Sequence, residues 1–184
     1  MAKKSQSKPK SKRKTDTTSR KTTGNGNDKA LREMLRKVLS WGEAHADWKQ
    51  ALAGLDAAQR GLRPPGSPHS AWELLEHARL AQRDILEFTR NAQYKSPEWP
   101  AGYWPKNLAP ANDAEWEKSV QAFFQDTQAM GKLVMDPQAD LSAPIPHGTG
   151  QTLLRQALLL ADHNSYHLGQ FVLVRRLVGA WREG

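Results

Sequence analysis

Apolar residues recur at three- and four-residue intervals through four long segments, and no stretch reads convincingly as a strand. That pattern restricts the chain to helices packed on helices. The first segment runs from about Lys29 to Leu55, marked by Leu31, Leu35, Val38, Trp41, His45, Trp48 and Leu52. The second opens at Ser70, whose spacing to Glu73 forms a capping box. It continues through Leu74, His77, Ala81, Ile85 and Phe88 to about Asn91. The third starts near Asn112 or Asp113 with acidic residues in its first turn, which suit a helix N-terminus. Its stripe is Trp116, Val120, Phe123, Met130 and Val134, and Asp136-Pro137 ends it. The fourth spans about Gly150 to Val178, with Gly179 placed to stop it.

Loop lengths predict the topology. About fourteen residues separate the first helix from the second, and about as many the third from the fourth. The loop between the second and third, roughly 92–111, is longer and reads Ser96-Pro97-Glu98-Trp99-Pro100 and Tyr103-Trp104-Pro105. Such a loop can cross a bundle about 30 Å long and let the third helix run parallel to the second. The expected fold is all-α, a four-helix bundle arranged up-down-down-up. The aromatic and proline content of the long loop suits a segment that roofs a pocket.

Charge divides the chain differently. Residues 1–30 hold ten Lys/Arg and two Asp, while the remaining 154 residues hold 17 basic and 17 acidic side chains. Residues 1–28 have no large apolar side chain after Met1, so they are expected to form a disordered basic tail, with 29–184 as the bundle domain. The tail has the charge to touch nucleic acid but no aromatic to stack on bases. There is no secretory h-region and no stretch long enough to span a membrane, so a cytoplasmic setting is expected. With no cysteine, the chain supplies neither disulfides nor a thiol nucleophile.

The chemistry-bearing residues are histidines. His163 and His167 interrupt the apolar fourth helix four residues apart, so they share a face about 6 Å apart along the axis. In the expected topology His77 on the second helix reaches the same level, as does His45 on the first. Three imidazoles so gathered can hold a metal ion and leave positions open for water or substrate. Spacing alone also allows a simpler reading, histidines hydrogen-bonded to neighbours at the core edge. No Glu follows the first His, so this is not the zinc-protease HExxH motif. Gln170 and Asp84 extend the polar stripes and could hold a ligand's second ring nitrogen or a bound water. His45 between Trp41 and Trp48 reads as packing, His69 as part of a turn, and His147 as a loop residue near a pocket mouth.

The run His163-Asn164-Ser165-Tyr166-His167-Leu168-Gly169-Gln170, followed by Arg175-Arg176-Leu177-Val178-Gly179, resembles the last helix of the DinB/YfiT-like family. Ser70-Ala71-Trp72-Glu73-Leu74-Leu75-Glu76-His77 is similar to that family's second helix. The resemblance covers roughly residues 29–181 and implies the same up-down-down-up bundle. It implies a divalent metal, zinc or nickel with iron or manganese as alternatives, held by His77, His163 and His167 together with water. It also implies a homodimer. Two enzyme activities follow from it: a transferase using a low-molecular-weight thiol such as bacillithiol or mycothiol, or a metal-dependent hydrolase. A hydrolase would need a general base, for which Asp84, Glu73 and His45 are the candidates. A third reading is a non-catalytic module that binds nucleic acid through its tail.

Overall fold

Side-chain caps set where the helices begin. The computed structural model describes residues 19–181, with side chains described from residue 26. Its helices are α1 (Ser19–Val38), α2 (Trp48–Leu52), α3 (Ala57–Arg60), α4 (Ala71–Arg90), α5 (Asp113–Met135) and α6 (Leu153–Leu177). Ser70 Oγ accepts from the Glu73 amide at 3.2 Å while Glu73 Oε2 accepts from the Ser70 amide at 2.8 Å, so both orphan donors at the head of α4 are satisfied. Asn112 and Thr152 cap α5 and α6 in the same way, through the amides of Glu115 and Arg155.

Two apolar layers fix the directions of the long helices. Trp72, Leu74 and Leu75 from the start of α4 pack with Trp116 and Phe123 of α5 and with Leu168, Phe171 and Val174 from the end of α6. The second layer joins Leu86 near the end of α4, Met130 and Val134 near the end of α5, and Leu153, Ala157 and Leu160 at the start of α6. So α4 and α5 descend together and α6 returns upward. Arg32 of α1 reaches the carbonyls of Val134 and Asp136, and farther along the chain Arg36 of α1 and Leu39 just past its end approach Gly131. α1 therefore rises against α5, which completes the up-down-down-up bundle. Side chains as fully enclosed as Phe123 and Phe171 each contribute about 2–3 kcal/mol through burial.

The first helix differs from the expectation. It does not continue to Leu55 but ends at Val38, and the chain leaves helical geometry until Asp47 caps α2. Asp47 and Gln50 form a second capping box, and Asp56 and Gln59 a third at the head of α3. Gly42 sits inside the break, where an added Cβ would lie 2.8 Å from the Asp47 Cβ. α2 still delivers Trp48, Ala51 and Leu52 to the first layer. Of the expected tail, residues 1–18 lie outside the described residues, and α1 begins at Ser19.

Polar groups pin the helices to one another. The buried Arg32 donates to the carbonyls of Val134, Asp136 and Ala139 at 2.7–2.8 Å and so closes the C-terminal end of α5. Gln82, fully enclosed on α4, donates to the Phe123 carbonyl at 2.6 Å. Its Oε1 accepts from Asn164 Nδ2 at 2.8 Å and from the Thr127 hydroxyl at 3.0 Å. The loop from α4 to α5 carries a short 3-10 turn, Ala101–Tyr103, that packs onto α4. Among the described residues no helix is long and apolar enough to cross a membrane.

Candidate metal centre

The topology sets α4 beside α6, and the phase of each helix does the rest. His77 is the seventh residue of α4, while His163 and His167 share one face of α6. Their rings meet, with centroids 5.1 Å apart for His77 and His163 and 4.4 Å for each of the other two pairs. Each residue offers one ring nitrogen, and these three atoms lie within 4.8 Å of one another. His77 and His167 are buried and His163 is half-buried.

Hydrogen bonds on the outer nitrogens aim the inner ones. His77 Nδ1 lies 2.9 Å from the Tyr103 carbonyl oxygen, which can only accept, so the proton sits on Nδ1 and the Nε2 lone pair faces the cluster. His167 Nδ1 likewise donates to Gln170 Oε1 at 2.7 Å. His163 Nε2 points at His77 Nε2 across 3.3 Å, while its own Nδ1 is buried with no partner. The neighbouring Asn164 Oδ1 is also buried and unpartnered.

Electrostatics favour neutral rings. Burial, reinforced by the neighbouring His77, pushes His163 down to about 4. Burial and then the charges of His163 and His77 do the same to His167, also to about 4. Burial lowers His77 as well, partly opposed by its bond to Tyr103. At neutral pH all three are therefore uncharged, the form in which imidazole binds metal. Three neutral nitrogens converging from two helices, two of them with the second nitrogen engaged, fit a divalent ion of borderline softness and leave room for further ligands.

A fourth histidine, expected to serve only a turn, joins the cluster through the long loop. His69 stacks on Trp104 at 4.0 Å, and Trp104 stacks on His77, also at 4.0 Å, with ring planes 9° apart. The long loop thus clamps His77 by a carbonyl on its edge and an indole on its face. His69 Nδ1 is buried without a partner, and burial lowers the ring's pKa. No spacing rule could have paired residues 69, 77 and 104, because the loop's path decides it.

The other candidates fall in different places. Gln170 Oε1 lies against the outer nitrogen of His167. Asp84 contacts no histidine; its Oδ2 accepts from the Tyr103 hydroxyl at 2.9 Å. Glu73 is held in its capping box and by Arg63, whose Nε donates to Oε2 at 2.8 Å and whose Nη2 donates to Oε1. Burial alone would raise the Glu73 carboxyl, but the Arg63 and Ser70 bonds outweigh it and hold it below the usual range. His45 is not on a helix. It lies exposed in the break after α1, its Nδ1 2.8 Å from the Ala46 carbonyl, next to Ser165, Leu168 and Gly169 of α6 rather than in the histidine layer. His147 Nε2 contacts the Phe88 carbonyl at 2.6 Å and serves the loop before α6.

A family model described as the DinB superfamily matches residues 40–171. No curated protein and no solved structure matches.

Proposed function

The chain belongs to the DinB superfamily, and from that premise we propose that it binds a divalent metal through His77, His163 and His167 and uses it in thiol-dependent group transfer. The observation that carries the metal assignment is the convergence of three ring nitrogens within 4.8 Å, with the outer nitrogens of His77 and His167 engaged by acceptors. A metal held there would supply Lewis acidity that brings a small thiol's pKa below its free value near 8.5. Zinc or nickel suits an all-imidazole donor set best, with iron or manganese as alternatives. The protein's own residues hold the imidazoles neutral, fix the tautomers of His77 and His167 and keep the site partly dry.

The placement of the acidic candidates favours the thiol reading over the hydrolase. Water activation is helped by a carboxylate base, yet Glu73 is tied to Arg63 and Asp84 to Tyr103. A thiol already near its pKa needs less help. The same reading places the protein in the cytoplasm, where such thiols are abundant. It also pairs two copies through the exposed apolar face of α6, formed by Leu158, Tyr166, Leu173 and Leu177.

The test is metal content by plasma mass spectrometry on untagged protein beside His77→Ala and His167→Ala. This is followed by metal-dependent conjugation of monochlorobimane to glutathione, bacillithiol or mycothiol. One equivalent of metal in wild type, lost in both variants, supports the site. Metal uptake without conjugation of any of the three thiols removes the transferase and leaves the metal site standing.

A further inference from the structure

We propose that Tyr103 and Asp84 are positioning residues for His77, joined in a strut that runs from one point on α4 to another through the long loop. This inference rests on the metal-binding reading above. His77 Nδ1–H donates to the Tyr103 carbonyl at 2.9 Å, and the Tyr103 hydroxyl donates to Asp84 Oδ2, also at 2.9 Å. Asp84 lies seven residues beyond His77, two turns down the same helix and about 10 Å along it. The circuit starts and ends on α4, so the loop is braced against the helix whose histidine it holds.

Each part contributes separately. The carbonyl selects the Nδ1–H tautomer and thereby turns the Nε2 lone pair toward His163 and His167. The Trp104 ring, nearly parallel to His77, fixes the tilt. Asp84 keeps the carbonyl in register by holding the other end of the same residue. Tyr103 is buried, so its hydroxyl needs the acceptor that Asp84 supplies. Tyr94, at the start of the loop, also lies beside Asp84, whose carboxylate raises that phenol's pKa after burial does. One carboxylate thus gathers the start and the middle of the loop, which explains an acidic side chain in this position without giving it a role as base.

The experiment compares wild type with Tyr103→Phe, Asp84→Leu and Asp84→Asn in two assays. Histidine nitrogen NMR on metal-free protein reads the His77 tautomer, and chelator competition reads zinc affinity. Tyr103→Phe keeps the ring in its buried seat but removes the hydroxyl. It and Asp84→Leu should turn a single Nδ1–H tautomer into a mixture and weaken zinc by about threefold to tenfold, less than loss of a direct ligand partner. Asp84→Asn keeps an acceptor for the hydroxyl and should stay close to wild type. A His77 tautomer unchanged in Tyr103→Phe and Asp84→Leu overturns the strut, whatever the zinc result. A tautomer shift in a protein that takes up no zinc leaves the strut in place and removes the metal reading instead.

Discussion

Replacing Gln170 by Leu isolates what an outer-nitrogen partner contributes. His167 is buried, and its Nδ1–H has one acceptor, Gln170 Oε1 at 2.7 Å. Without it the Nδ1–H tautomer loses its stabilising bond, and a buried N–H left bare costs about 1–3 kcal/mol. The ring escapes part of that cost by moving the proton to Nε2, next to lone pairs on its neighbours. That escape is closed when Nε2 must bind metal, so the penalty falls mainly on the metal complex. At about 1.4 kcal/mol per tenfold, zinc affinity should drop about 10- to 100-fold. The fold itself should change little. Gln170 borders a cavity with Leu74, Leu173, Val174 and Leu177, which receives a Leu side chain readily. Metal-free stability in urea should therefore fall by less than about 1.5 kcal/mol. Zinc titration against a chromogenic chelator at pH 7.5, beside urea melts of the stripped protein, separates the two effects. An affinity within threefold of wild type would refute the reasoning, since His167 would then need no partner to present its nitrogen. Gln170→Glu, which keeps an acceptor and adds charge, should bind zinc at least as tightly as wild type.

The remaining expectations concern stability and assembly. With metal removed, His163 and His167 titrate near 4 in the folded state against about 6.5 unfolded, so the unfolded chain binds more protons between those values. Stability should be flat above about pH 7 and fall as pH drops from about 6.5 toward about 4, by on the order of 1–3 kcal/mol given that His163 is half-buried. Chemical denaturation across that range checks it, and a curve flat from pH 7 to 4 contradicts it. Arg32→Met should cost about 2–4 kcal/mol by baring the three carbonyls it serves, read as a lower urea midpoint. A loss under about 0.5 kcal/mol would show that water replaces it freely. Sedimentation should give a wild-type dimer and a monomer for Tyr166→Lys with Leu173→Lys; a monomeric wild type ends the dimer reading.

What could be read from residues alone was what depends on short-range rules. The heads of α4 and α5 follow from Ser70 with Glu73 and from Asn112, and the His163–His167 pair follows from helical pitch. His77 could be matched to them because connection lengths set which helices run parallel. The first helix failed because Trp41, His45, Trp48 and Leu52 keep three- and four-residue spacing across a break. Asp47 with Gln50 was the overlooked signal, a capping box inside an apparently continuous stripe. His45 followed that helix into the wrong place. Glu73 was legible as a cap, but its ion pair with Arg63 needed the loop's path, as did the Trp104 stack. Contacts made where a long loop lands on a helix carry no periodicity.

Gln82, Asn164, Thr127 and the Phe123 carbonyl tie three helices together in the interior, one residue along from His163. The hydrogen bonds of these side-chain amides are directional, whereas the apolar side chains around them tolerate sliding. An α-helix turns about 100° per residue, so a small rotation of α6 breaks the bond from Asn164 well before it opens a void. The network therefore acts as an index mark for the angular setting of α6. Dispersion would keep the helices together without it, but it would not stop His163 and His167 from swinging away from His77. A site assembled from separate helices needs such a mark beside it, and here it lies on the next residue.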